Sequence, residues 1–454
     1  MKQILVLGAG QSAPFLINYL LENAAAHDWF VTVGDLNLGN AQRVVGNHPN
    51  GSAVVFDVND AKMRESQIRK ADIVVSMLAP MFHPQVATDC LRHGANFVSA
   101  SYMDDRIKDL DMEAHRHNLL VLSEMGLDPG IDHMSAMKLI QQVRDRGGIV
   151  TAFLSYGSGI PAPEVQSNPF RYCITWNPRN VVRAGEAGAL YIEDGHIKLL
   201  PYQHVFQRTW PVEVEGIGTL EAYPNRNSLL YKELFGLKDV KTMIRGTLRY
   251  PGWSETWHQI VRLGLANETM PVSGLGEMTY RDFLQMFLSM HVPGARLENR
   301  VANYLHISPT GKIMENLKWL GLFSEEIIGG NVQTAADVMS QLLVKKLPLP
   351  ADGRDMVILQ HEIEAVFPDQ GNRRERIKST LVEFGNPGSF TAMSKTVGMP
   401  AAIATKLILT NQLPISGCHI PTHPMIYEPV LNELEQSGLK FHEQHQEIAE
   451  GELI

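Results

Sequence analysis

The sequence is short of cysteine, of positive charge and of long apolar runs, and each shortage excludes something. Its three cysteines, Cys90, Cys173 and Cys418, stand far apart and form neither a CxxC pair nor a zinc-ligand spacing. A disulfide framework and a structural zinc site are excluded, and a reducing, cytoplasmic setting is expected. Lysine and arginine number 40 against 49 aspartates and glutamates, giving a net charge of −9. An electrostatic nucleic-acid binder wants the opposite balance, so no nucleic-acid partner is expected. No stretch approaches the roughly 18 apolar residues of a membrane span. One lysine followed directly by an apolar tract does not read as a signal peptide. With 44% hydrophobic and 20% charged residues, the composition is that of a soluble globular protein. Its 454 residues exceed one core, so two or three domains are expected.

What is present begins at the first strand. Ile4 to Leu7 is an apolar run of buried-strand length, and Gly8, Gly10 and Ala13 follow in G-x-G-x-x-A spacing. Phe15, Leu16, Tyr19 and Leu20 recur at helical spacing, Phe30 to Val33 reads as a second strand, and Asp35 follows it. Such a glycine turn lets backbone N–H groups approach a pyrophosphate at a helix N-terminus, while the later acid binds a ribose hydroxyl. A turn without a ligand is the plainer alternative; the flanking strand, helix and acid count against it. Asp35 also bears on which dinucleotide is used. A carboxylate there pairs with a 2′-hydroxyl and repels a 2′-phosphate, and Leu36, Asn37 and Leu38 bring no arginine. NAD is favoured, with NADP still open.

The βα rhythm continues. Ala53 to Phe56 reads as a strand closed by Asp57. Ile73 to Met77 precedes "LAPMFHP", Phe97 to Ala100 precedes "SYMDD", and Leu119 to Leu122 precedes "SEMGLDPGIDH". This alternation predicts a parallel, doubly wound sheet with ligands at its carboxyl edge. From Val150 the pattern changes. Strands are expected at the start of "GIVTAFLSYGSGIPAPE" and over Ile197–Leu200, Val205–Trp210, Thr219–Tyr223 and Thr247–Tyr250. Gly252 to roughly Lys346 reads as helical, "DMVILQHEIEAVF" and "KSTLVEFG" as two late strands, and "FTAMSKTVGMPAAIATKLILTNQ" as a long helix with Pro400 inside it. A helical block between strand regions reads as an insertion. The late strands are then expected to rejoin the middle sheet, and the last helices to pack on the nucleotide domain.

"GLDPGIDH", Gly126 to His133, gathers two aspartates, a histidine, a proline and two glycines. No neighbouring histidine or cysteine completes a ligand set, so no metal is expected. Asp128 is expected as the N-cap of the next helix, with Pro129 at its first position.

Five tracts, "GLDPGIDHMSAM", "SYGSGIPAPEVQSNPFRYCITW", "AYPNRNS", "IRGTLRY" and "SKTVGMPAAIATKL", together resemble the saccharopine reductase family, the glutamate-forming saccharopine dehydrogenases. The likeness runs from Leu5 to beyond Thr410. It implies an α/β fold in three parts. A Rossmann domain with a parallel doubly wound sheet would span 1–128, completed by about 392–454. A mixed-sheet substrate and dimerisation domain would span 129–250 and about 353–391, and an inserted all-helical domain 251–352. It implies a homodimer that oxidises saccharopine, with NAD or NADP and water, to L-glutamate and L-2-aminoadipate 6-semialdehyde, or runs the reverse. Arg226 and Arg249 would hold substrate carboxylates as bidentate donors. Thr247 and Leu248 would lie beside them, with Arg171 a weaker candidate. Ser101, Tyr102 and Asp128 would contact the substrate near the reacting amine, Tyr102 and Asp128 as the catalytic pair. Cofactor contacts are expected from Gly8, Gly10, Gln11, Ser12, Ala13 and Asp35, from Asp57, Val58 and Leu78, and from Leu127, Pro129, Gly130 and Ile131. His83, in "MFHP", reads either as a proton relay or as a histidine bonded within a proline turn.

One departure matters. The family commonly reads "SYCGGLPAPE" where this chain has "SYGSGIPAPE": Gly157 replaces a cysteine and Ser158 a glycine. A thiol is therefore no obligatory acid or base here. Either the substrate's amines and water manage protons, or the substrate differs slightly, with Ser158 offering a hydroxyl. Two rival readings remain: a related reductive-amination enzyme on a carboxylated polyamine, and a nucleotide-binding sensor without catalysis. The arginines count against the first, and Tyr102 and Asp128 against the second.

Overall fold

A computed structural model describes residues 1–449. The chain divides into two compact units: Met1–Ile149, Phe367–Arg373 and Leu381–Glu443 form the first, and Val150–Val366, Arg374–Thr380 and the chain from Gln444 form the second.

The first unit is built on a seven-stranded sheet. Its strands are β1 (Lys2–Leu7), β2 (Trp29–Asp35), β3 (Gly51–Val55), β4 (Ile73–Ser76), β5 (Asn96–Ser99), β6 (Leu120–Leu122) and a short strand Gly417–His419. Their spatial order is β3-β2-β1-β4-β5-β6 and then Gly417–His419, and every pairing is parallel. Such strands are covered on both faces, which is why Ile4–Leu7 and Ile73–Val75 are uninterrupted buried runs rather than alternating ones. Helices α1 (Pro14–His27), α2 (Leu38–Val45), α3 (Ala61–Ile68) and α4 (His83–His93) make the crossovers. The order reverses between β1 and β4, and ligands bind at such a switch point beyond the carboxyl ends of the strands. Helix Ala392–Leu409, with Pro400 inside it, packs on α1, and helix Pro424–Gln436 packs on helix Ile131–Asp145.

The second unit carries a nine-stranded mixed sheet. Its strands are β7 (Ile149–Pro161), β8 (Ala189–Glu193), β9 (His196–Leu200), β10 (Trp210–Val214), β11 (Gly218–Pro224), β12 (Thr242–Arg249), β13 (Asp355–Phe367), β14 (Arg373–Phe384) and His442–Ile448. The order is β10-β11-β12-β7-β13-β14 and then His442–Ile448, with the β8/β9 hairpin attached to β12. Strands β12 and β7 run parallel, while β10/β11 and β11/β12 are antiparallel. The two late strands thus rejoin the middle sheet. Helices Trp253–Leu263, Leu297–Leu305, Lys312–Leu320 and Ala335–Lys346 fill the tract between β12 and β13, the last opened by a capping box of Thr334 and Asp337.

Two details differ from the sequence reading. Val205–Trp210 is not a strand: Tyr202–Gln207 is a 3₁₀ turn, and the strand starts at Trp210. Val205 and Phe206 are apolar because they are buried from a turn, the Phe206 ring lying 4.8 Å from that of Tyr223. The first unit also runs to Ile149 rather than Asp128, because helix Ile131–Asp145 packs within it, and the helical tract 251–352 is grouped with the second unit.

Candidate active site

The expected cofactor residues all follow carboxyl ends of strands in the first unit. Gly8 follows β1 with φ +96°, and a Cβ there would lie 3.2 Å from the Met77 carbonyl carbon, so both conformation and space call for glycine. A Cβ on Gly10 would meet nothing within 4 Å. The turn is thus open where a phosphate would approach, and its residues fit a dinucleotide. Gln11, Ser12 and Ala13 lead into α1, whose N-terminus has no side-chain cap of its own. The Phe15 N–H in its first turn donates instead to Ser394 Oγ at 3.1 Å. Asp35 closes β2. Its Oδ2 accepts from the Ala9 N–H and its Oδ1 from the Asn37 N–H, both at 2.8 Å, so the carboxylate is fixed beside the glycine turn. Asp57 and Val58 follow β3, where the Val58 carbonyl accepts from Arg64 Nη1 at 2.6 Å. Leu78 follows β4, and Leu127, Pro129, Gly130 and Ile131 follow β6.

Beyond β5 and β6 the structure brings Ser101, Tyr102 and Asp128 to one place. The Tyr102 hydroxyl donates to Asp128 Oδ1 at 2.8 Å. Ser101 Oγ lies 3.1 Å from His83 Nε2. His83 is buried, with its ring edge-on to Phe97, and burial pushes its pKa down to about 4. Its ring is therefore neutral near pH 7 and tied to a serine, a positioning contact rather than a ready source of protons.

Asp128 is not the helix N-cap that the sequence suggested. The helix starts at Ile131, and its N-cap is Gly130. Gly130 has φ +146°, and a Cβ there would fall 2.0 Å from the Gly126 carbonyl oxygen. The loop closes through Gly126 N–H to the Pro129 carbonyl at 3.0 Å and Ile131 N–H to the Gly126 carbonyl at 2.9 Å, across a cis Asp128–Pro129 bond. The Gly130 N–H is taken by Asp132 Oδ1 at 2.7 Å, and Asp128 Oδ1 accepts from the Tyr102 hydroxyl.

Sequence reasoning missed what lies behind this pair. Glu124 and His133 are both buried. His133 Nε2 lies 2.8 Å from Glu124 Oε2, and its Nδ1 lies 3.0 Å from Asp132 Oδ2. The available signal was an adjacent Asp-His pair at the start of a helix in which both positions face inward. Among the described residues no group of three or more histidines, cysteines and acids could hold a metal ion.

In the second unit β12 carries Thr247, Leu248 and Arg249 at its carboxyl end. Arg249 is 5% exposed. Its guanidinium lies over Tyr172, Trp253 and Tyr223, at 4.9, 5.6 and 6.0 Å from their centroids. Nη1 donates to the Leu248 carbonyl at 2.8 Å, and Nε finds no hydrogen-bond partner among the described residues. A buried guanidinium facing aromatic rings rather than a carboxylate keeps hydrogen-bonding capacity that an anion could use. Ser158 does not offer a free hydroxyl: its Oγ donates to the same Leu248 carbonyl at 2.7 Å and lies 3.5 Å from Arg249 Nη1. Gly157 pairs with Thr247 in the β7/β12 register. Arg226 stands apart from Arg249, in the turn after β11, with φ +50°. The preceding Asn225 N–H donates to the Arg245 carbonyl, four residues back along β12, which is roughly 13 Å at about 3.3 Å per residue. Arg171 stacks its guanidinium 3.9 Å from the Tyr250 centroid.

A parallel sheet in Rossmann order, a glycine turn under its first helix and an acid closing β2 define a dinucleotide-binding protein. Comparison with known proteins narrows the class. Residues 4–122 match the saccharopine dehydrogenase NADP binding domain, and residues 126–439 the saccharopine dehydrogenase C-terminal domain. The chain is 33% identical over 442 residues to saccharopine dehydrogenase [NADP(+), L-glutamate-forming] of Saccharomyces cerevisiae, covering 96% of this chain and 97% of that one. It is 30% identical to the mitochondrial alpha-aminoadipic semialdehyde synthase of Rattus norvegicus, over 98% of this chain and 48% of that protein. The apo structure of the Saccharomyces cerevisiae saccharopine dehydrogenase (L-Glu forming) superposes with a TM-score of 0.86 at 31% identity, covering 99% of this chain and 100% of that one. The chain belongs to the saccharopine dehydrogenase family. No helix among the described residues is long and apolar enough to cross a membrane.

Proposed function

We propose that the protein oxidises saccharopine to L-glutamate and L-2-aminoadipate 6-semialdehyde, or catalyses the reverse, using NAD in preference to NADP. The observation that carries this reading is Arg249, a buried guanidinium in an aromatic cage with an unpartnered Nε. Saccharopine is a secondary amine with three carboxylates, the groups that guanidinium side chains such as those of Arg249 and Arg226 are built to receive. A dinucleotide held by the Gly8–Ala13 turn and Asp35 would supply the hydride acceptor. The methylene carbon beside the secondary nitrogen loses that hydride and the nitrogen loses a proton, giving a carbon–nitrogen double bond. Water adds to that bond, and the carbinolamine collapses to the amine of glutamate and the aldehyde. Asp128 accepts the nitrogen's proton, and Tyr102 holds the carboxylate in place and returns a hydrogen bond as its charge changes. Ser101, positioned by His83, contacts the substrate beside them.

The preference for NAD rests on Asp35. Its carboxylate is fixed by two backbone N–H groups at the end of β2 and repels a 2′-phosphate, although the relatives above are named for NADP(+). A homodimer in a reducing cytoplasm completes the proposal, in keeping with three cysteines that form no disulfide. The test is the nicotinamide absorbance band with purified protein, saccharopine and either dinucleotide. Reduction dependent on saccharopine, faster with NAD, is expected. No reduction with either dinucleotide would remove the proposal.

A further inference from the structure

The loop carrying Tyr102 and the loop carrying Asp128 leave different strands, so something must fix one against the other. The backbone does part of this. Glu124 N–H donates to the Ser101 carbonyl at 3.0 Å, and Met125 N–H to the Ser99 carbonyl at 2.9 Å. Glu124 does the rest from an uncommon conformation. It sits at φ +63°, a region that a residue with a Cβ enters only at a cost. From there its Oε1 accepts the Met103 N–H at 3.0 Å, bracing the residue next to Tyr102, while Oε2 meets His133 Nε2 at 2.8 Å. The other ring nitrogen of His133 meets Asp132 Oδ2 at 3.0 Å, and Asp132 Oδ1 holds the Gly130 N–H at 2.7 Å, two residues from Asp128. An unbroken line therefore runs from Met103 through Glu124, His133 and Asp132 to Gly130.

The ring's charge follows from the same contacts. A neutral imidazole has one N–H, so one nitrogen would turn a lone pair toward a carboxylate oxygen. Each carboxylate also accepts a backbone N–H, Glu124 from Met103 and Asp132 from Gly130. With carboxylate oxygens 2.8 and 3.0 Å from its two nitrogens, an imidazolium faces an opposite charge on either side. At relative exposures of 1% for the His133 side chain, 8% for Glu124 and 3% for Asp132, the trio is shielded from water, where an ion pair fixes geometry more surely than it adds stability.

We propose that His133 is a positioning residue, an imidazolium strut between Glu124 and Asp132 that sets the Tyr102–Asp128 hydrogen bond. It acts through that pair and so rests on the function proposed above. Two measurements test it. In ¹⁵N-histidine-labelled protein at neutral pH, the signals that vanish in H133Q should be those of a ring protonated on both nitrogens; a neutral tautomer overturns the strut. In steady-state kinetics H133Q should lower kcat with saccharopine by roughly tenfold, part of the hundredfold or more that a positioned acid or base contributes, and leave dinucleotide affinity within about twofold. Y102F should then cost far less in H133Q than in the unaltered protein, because the bond it removes is already misplaced. Additive costs overturn the proposal, since a merely structural role gives that result. If H133Q does not fold, E124Q keeps the side-chain size and carries the same cycle and the same spectra. Should the unaltered protein fail to turn over saccharopine, the functional reading falls by itself, and the spectra still decide the strut.

Discussion

The Tyr102 hydroxyl and Asp128 Oδ1 meet at 2.8 Å, joining the loop after β5 to the loop after β6. Gly130 rather than Asp128 caps the following helix, so the cap does not depend on the Asp128 carboxylate. D128N is therefore expected to melt within a few degrees of the unaltered protein while kcat falls by roughly 10²–10⁴, the range for losing a positioned acid or base. Thermal melts read beside turnover check this. Full turnover in a folded D128N would remove Asp128 from the chemistry.

Arg249 is caged by Tyr172, Tyr223 and Trp253. R249M should raise the saccharopine KM roughly 10- to 100-fold, the loss of a charge-assisted bond worth about 1.5–3 kcal/mol. R249K should rescue little, since an ammonium neither stacks on the rings nor binds a carboxylate bidentately. S158A should act in the same direction and more weakly, because it frees the carbonyl that orients the guanidinium. An unchanged KM in R249M excludes it from the site.

Asp35 offers a test of cofactor choice with its shape preserved. D35N keeps an oxygen for the Ala9 N–H and drops the charge. The NADP-to-NAD ratio of kcat/KM should rise by roughly tenfold or more, since opposed like charges cost several kcal/mol. A ratio that does not move assigns the discrimination elsewhere.

His83 makes a prediction about acid. Burial holds its pKa near 4 in the fold, against about 6.5 when unfolded. The unfolded chain binds more protons between those values, so stability falls as pH drops through that window. The difference corresponds to about 3 kcal/mol, complete by about pH 4 and absent above about pH 6.5. Denaturant unfolding across this range should show H83N losing less stability than the unaltered protein. Parallel curves would show that the ring is not held neutral by the fold.

The nucleotide half was legible because each of its signals is local. Ile4–Leu7, the Gly8 turn and Asp35 lie within one βαβ stretch, and the structure keeps them there. Strand Gly417–His419 was not legible, since three residues carry no periodicity and become a strand only by pairing with β6, some 300 residues earlier. Asp128 was misplaced as a cap because an Asp-Pro pair before a helix is the usual signal for one. The deciding fact, a Gly130 backbone packed against Gly126, is a matter of space. His133 was passed over because a histidine on a buried helix face reads as core until its partners are known. The arginines were legible as motifs, but the cage around Arg249 draws on residues 172, 223 and 253 and exists only in three dimensions.

The bond from Phe15 N–H to Ser394 Oγ spans 379 residues, and a Cβ on Gly398 would lie 2.9 Å from the Leu16 nitrogen. The first helix made on the ribosome is thus finished by one of the last. At about 5–20 residues per second, the interval between them is roughly 20 to 75 s. Through that time the emerging nucleotide domain shows a bare helix face and an open sheet edge at β6, the kind of surface on which nascent chains aggregate or recruit chaperones. A chain stopped before Ser394 would carry the whole glycine turn and still present itself to the cell as a misfolded protein.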